Sequence, residues 1–90
     1  MKKKIIIKGH VQGVFYRENT KKLAKALGLK GYVKNKFDGS VKIVVSGEEN
    51  KIKKLIKWCK HGPMHATVEN VEVKEHDKII DEKKEFQITH

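Results

Sequence analysis

Two segments of helical periodicity, each held between runs of β-branched residues, meet back to back at Asp38-Gly39. That arrangement leaves this chain few ways to fold. Lys3 to Lys8 carries Ile5-Ile6-Ile7 and reads as a buried strand. Gly9 ends it, and a loop follows to Val14. Thr20, Leu23, Ala24 and Leu27 recur at helical spacing, so a helix is expected over Phe15–Leu27, with Gly28 at its C-terminal cap. Tyr32–Lys36 and Val41–Val45 are strands around the Asp-Gly turn, where glycine accepts a positive φ. Ile52, Leu55, Ile56 and Cys59 share one face of a second helix over Glu48–Lys60, which Gly62-Pro63 stops. Val68–Val73 is a fourth strand, and Phe86 and Ile88 mark a short fifth. Lys74–Glu85 reads as a charged linker. The expected fold is α+β: a ferredoxin-like split βαβ sandwich, βαββαβ plus a short fifth strand. Its sheet is expected to be antiparallel, with both helices on one face.

Ninety residues suit one domain, 1–90. The formal charge of +10 favours an anionic partner: nucleic acid, an acidic surface or a small phosphorylated molecule. No apolar run approaches the roughly 18 residues of a membrane span. Only Ile5-Ile6-Ile7 follows the basic start, against about 7–15 apolar residues in a secretory signal, so a cytoplasmic location is expected. The single cysteine, Cys59, lies on the apolar face of the second helix and reads as a packing residue. His61 and His65 are separated by Gly62-Pro63, which breaks a helical metal pair, so no metal is expected.

The loop from Gly9 to Val14 leads from a strand end into a helix start. There free backbone N–H groups and the positive dipole end favour an anion. Gly9 and Gly13 let the backbone curl so that N–H groups converge. Arg17, in the first helical turn, brings a guanidinium fork that matches phosphate oxygens.

Gly9-His10-Val11-Gln12-Gly13-Val14-Phe15-Tyr16-Arg17 resembles the acylphosphatase signature G-x-V-Q-G-V-x-x-R. Gly31-Tyr32-Val33-Lys34-Asn35, followed by Asp38-Gly39-Ser40-Val41, resembles that family's second block. The resemblance implies hydrolysis of acyl phosphates to a carboxylate and inorganic phosphate, with no cofactor, no metal and no phosphoenzyme. It puts the catalytic arginine on Arg17 and the catalytic asparagine on Asn35. It puts a backbone phosphate cradle on His10, Val11, Gln12, Gly13 and Val14. Two departures are His10, where arginine is common, and Tyr32, where tryptophan is usual.

Phosphoryl transfer asks mostly for positioning and charge stabilisation, which loop N–H groups and an arginine can supply. An asparagine offers a carbonyl and an NH2, so it can orient water without titrating. The partners expected are therefore a small acyl phosphate and the phosphate released from it, with the chain acting as a monomer. No nucleic acid or membrane partner is expected. An RNA-recognition module shares the element order, but stacks bases on aromatics of its central strands. Ile5-Ile6-Ile7 and Val41–Val45 have none. The remaining alternative is an accessory module of the kind found at the front of a hydrogenase-maturation carbamoyltransferase.

Overall fold

The computed structural model describes all 90 residues. Its elements are β1 (Lys2–His10), α1 (Tyr16–Ala26), β2 (Lys30–Asn35), β3 (Val41–Ser46), α2 (Glu49–Cys59), β4 (Thr67–Glu75) and β5 (Gln87–Thr89). They form one five-stranded sheet in the order β4-β1-β3-β2-β5. The four longer strands pair antiparallel, as a split βαβ requires.

β5 departs from the expected antiparallel sheet: it lies parallel to β2, with Tyr32 opposite Gln87 and Lys34 opposite Thr89. The reason is the crossing that precedes it. β4 ends at one edge of the sheet, and residues 76–86 carry the chain to the other edge. A strand laid there must run back against the direction of β4, which is the direction of β2. That crossing is the segment read as a linker, and it is anchored. His76 N donates to Lys2 O at 3.3 Å, Ser46 Oγ to Glu82 Oε1 at 2.6 Å, and Ile80 and Phe86 are buried.

Alternation along the strands sets the core. Ile5, Ile7, Val33, Val41, Ile43 and Val45 are buried in one cluster with Ala24, Ile52, Leu55 and Cys59 from the helices. α1 and α2 are joined where the buried Tyr16 hydroxyl donates to Cys59 O at 2.7 Å. Tyr16 also sets its ring against Trp58, 5.2 Å between centroids. Burial pushes the Cys59 thiol up to about 12, so it stays protonated and serves packing.

β1 runs two residues past Lys8, through a bulge at Lys8/Gly9. Glycine is required there: at φ +131° a Cβ on Gly9 would lie 2.2 Å from Thr67 O. The loop into α1 therefore spans only Val11–Phe15, and Phe15 caps the helix from outside.

Candidate active site

β1, β2 and β5 all run in the same direction, so their C-terminal ends lie at one end of the sheet. The loop after β1, Asn35 at the end of β2 and His90 just past β5 meet there. Register fixes the neighbours. Asn35 pairs with Val41 and Val41 with Ile7, while Thr89 pairs with Lys34 and so carries His90 up beside Asn35.

Within the loop, Val11 and Val14 turn inward and are buried, at 1% and 8% exposure. Between them Gly13 turns outward at φ +75°. Phe15 follows at φ +65°, a left-handed conformation that a bulky side chain seldom adopts. The buried valines hold the loop's shape while its turn stays open to solvent. His10 stands at the margin: it is the last residue of β1, with Thr67 as its register partner and its side chain exposed. The free loop starts at Val11.

The Gln12 side chain has a role that reading the loop as a backbone cradle missed. Its Nε2 donates to Lys36 O at 2.8 Å and to Ser40 O at 2.9 Å, bolting the loop to the β2–β3 hairpin. A glutamine fixed in a motif that uses only its backbone would have had no reason to be glutamine. That was the signal available. The hairpin is braced in turn by Asp38, whose Oδ1 accepts from Ser40 N at 3.0 Å and Ser40 Oγ at 2.6 Å. These bonds hold the Asp38 carboxyl below its ordinary range.

Arg17 lies half-buried in the first turn of α1, with Nη1 3.4 Å from His90 Nδ1. It lines an open cleft of about 470 Å³ with Gly13, Phe15, Glu18, Ile88 and His90. Asn35 lines a second cleft of about 470 Å³ with Gln12, Lys34, Lys36, Phe37 and His90. His90 lines both, so the two clefts meet at that residue. Nothing in either sequence block pointed to His90, because its place depends on the parallel pairing of β5.

Asn35 Oδ1 is buried with no hydrogen-bond partner, the only such side-chain atom in the chain. A buried carbonyl without a donor costs on the order of 1–3 kcal/mol, and native folds rarely tolerate one without a use. No three His, Cys, Asp or Glu side chains are grouped so as to hold a metal ion. A separate cleft of about 250 Å³, beside Tyr32, His76 and Ile80, contains none of the expected site residues.

A βαββαβ sheet with both helices on one face defines a ferredoxin-like sandwich, and at one end of it a glycine loop feeds a helix start beside an arginine. The chain belongs to the acylphosphatase family, whose model matches residues 3–88. It is 49% identical over 79 residues to an acylphosphatase of Caldivirga maquilingensis, covering 87% of this chain and 83% of that one. To an acylphosphatase of Rubrobacter xylanophilus it is 46% identical over 72 residues, 80% of this chain and 66% of that one, just under two thirds of the relative's length. The crystal structure of acylphosphatase from Bacillus subtilis superposes with a TM-score of 0.91 at 31% identity, over 99% of this chain and 98% of that one. The chain is thus an enzyme, a hydrolase of a family that acts on acyl phosphates. None of its helices is long and apolar enough to cross a membrane.

Proposed function

We propose that this chain cleaves the carboxyl–phosphate bond of acyl phosphates without a metal, with Asn35 orienting the attacking water. Arg17 and the backbone N–H groups of the 10–14 loop hold the phosphoryl group. The observation that carries this reading is the unpartnered, buried Asn35 Oδ1 at the cleft that joins the Arg17 cleft. With the amide turned into the cleft, a bound water would donate one O–H to Asn35 Oδ1 and keep a lone pair free to attack.

The chemistry follows from the charges. As the phosphorus–acyl oxygen bond lengthens, charge spreads over three equatorial oxygens. The Arg17 fork and the N–H groups of a loop anchored by Val11, Val14 and Gln12 would stabilise that charge. The water oxygen bonds to phosphorus, the acyl oxygen leaves as a carboxylate, and a phosphate oxygen takes the water's proton. No protein base is needed, because a carboxylate is a good leaving group. The enzyme so read acts as a cytoplasmic monomer on a small molecule, with no nucleic acid or membrane partner.

The test is turnover of benzoyl phosphate with and without chelator, in the parent and in Asn35→Ala. Chelator should change nothing. The alanine variant should lose most turnover yet still be inhibited by inorganic phosphate, because Asn35 makes no ground-state contact with the anion. Asn35→Asp should fail too, since a carboxylate there repels a dianionic substrate. Loss of phosphate inhibition in step with turnover would make Asn35 a binding residue and overturn its water-orienting role.

A further inference from the structure

The cleft of about 250 Å³ beside Tyr32, His76 and Ile80 takes no part in the site above. It lies where residues 76–86 cross from β4 to β5. Its walls include Tyr32 of β2, Gln87 and Thr89 of β5, and Lys78, Ile79 and Lys84 of the crossing. The charges on those walls are unequally committed. Asp81 Oδ1 accepts from Lys83 N at 3.0 Å, and Glu85 pairs with Lys25 at 3.2 Å. Lys78 and Lys84 are in no ion pair: the pairs of this chain use Lys3, Lys25, Lys53 and Lys74.

Register adds two more cations. Tyr32 pairs with Val44 and Val44 with Lys4, while Lys42 is two positions back along β3. Alternation puts these residues on the face away from the helices, since Ile5, Val33, Ile43 and Val45 point into the core. Lys4 and Lys42 are half-buried there and are also in no ion pair. Lys42 Nζ lies 5.9 Å from the centre of the Tyr32 ring. Burial holds the His76 imidazole below its ordinary range against the pull of Asp77, and the charges of Lys42, Lys4 and Lys78 add to the depression. Four unpaired lysines thus stand in or beside a cleft whose own acids are already partnered.

We propose that this cleft is a second anion site, for a small organic polyphosphate carrying a flat ring, the class of the nucleoside diphosphates, and that its occupant braces β5. Ammonium groups without acids offer several point charges to a phosphate chain. Tyr32 and Ile79, the latter 92% exposed, offer the ring an apolar surface. The cleft is at the small end of ligand sites, which start at about 300 Å³, so it suits one ring with its phosphates reaching the lysines. A molecule held between Tyr32 and the lysines of the crossing also spans Gln87 and Thr89, which ties β5 to both neighbours. By linkage, a ligand that binds only the seated strand slows its release. The proposal goes beyond the hydrolase reading and does not depend on it.

The experiment is calorimetric titration of the full chain with ADP, pyrophosphate and adenosine, chelator present throughout. ADP should bind with a dissociation constant of about 1 mM or tighter. Pyrophosphate and adenosine, each lacking half of the contacts, should bind at least about tenfold more weakly. Lys42→Gln combined with Lys78→Gln should weaken ADP binding by about tenfold, with a melting curve confirming the fold. Arg17→Ala should bind ADP as the parent does. Amide hydrogen exchange over residues 87–89 should slow by at least about tenfold at saturating ADP. Absence of ADP binding would overturn the proposal, and pyrophosphate binding as well as ADP would overturn the choice of ligand. Loss of ADP binding in Arg17→Ala, or unchanged binding in the folded lysine variant, would place ADP elsewhere and overturn the site. Unchanged exchange over 87–89 would overturn the bracing of β5. No readout uses turnover, so failure of the hydrolase reading would leave each of these results standing.

Discussion

The guanidinium of Arg17 stands half-buried between the loop and β5, its Nη1 3.4 Å from the imidazole of His90. An arginine so placed can meet two phosphate oxygens at once, whereas a lysine offers a single point of charge. Arg17→Ala should therefore lower turnover by at least the roughly 10²–10³ that one lost oxyanion donor costs. Inorganic phosphate should inhibit it more weakly, and Arg17→Lys should recover little. Steady-state kinetics with phosphate as inhibitor checks both, and near-parent activity in the alanine variant would remove Arg17 from the site. The two short blocks that hold Arg17 and Asn35 were legible in the sequence because their spacing is local, and both residues lie at the same end of the sheet. His90 was not, since only a strand pairing 55 or so residues away in sequence brings it to Asn35, and pairings of that kind leave no local mark.

At the scale of elements, the loop between β1 and α1 is held by its ends and its side chains. Buried Val11 and Val14 fix it below, and Gln12 ties it to the hairpin. Gly13 at φ +75° makes the outward turn, and nothing lies within 4 Å of where its Cβ would be. The requirement for glycine is thus conformational and not a matter of space. A β-branched residue in that left-handed conformation costs on the order of 1–2 kcal/mol or more, which the loop can shed by changing its path. Gly13→Val should then lose phosphate binding while keeping nearly parent thermal stability. Calorimetric titration with inorganic phosphate, beside a melting curve, distinguishes the two effects. Normal phosphate binding in this variant would mean that the loop N–H groups do not converge on the anion. The same loop shows where periodicity misleads. The helical spacing of Thr20, Leu23, Ala24 and Leu27 puts the expected helix start at Phe15. No residue preference announces a left-handed phenylalanine, so the true start at Tyr16 emerged only from the backbone.

The whole molecule sets one further condition on the site. Both clefts lean on β5, a strand of three residues that contacts the sheet along one side. A strand so short and parallel cannot hold itself in place. What holds it is the preceding crossing, and above all Phe86, 1% exposed in the common core with α1, α2 and the sheet. Phe86→Ala would empty that position at a cost of about 3–5 kcal/mol. For a domain of this size that is a large part of a total of roughly 5–13 kcal/mol. Phe86→Leu keeps most of the volume and should cost less than the alanine variant, about 1–2 kcal/mol, leaving a folded protein whose β5 is less firmly docked. If β5 carries the far wall of the site, turnover by Phe86→Leu should fall by more than the fraction unfolded accounts for. KM for benzoyl phosphate should rise with it, because Ile88 lies on that strand and His90 directly follows it. Urea unfolding gives the stability change and kinetics below the transition gives the rest. Kinetic constants in the folded variant equal to those of the parent would show that the clefts keep their form without a firmly seated β5.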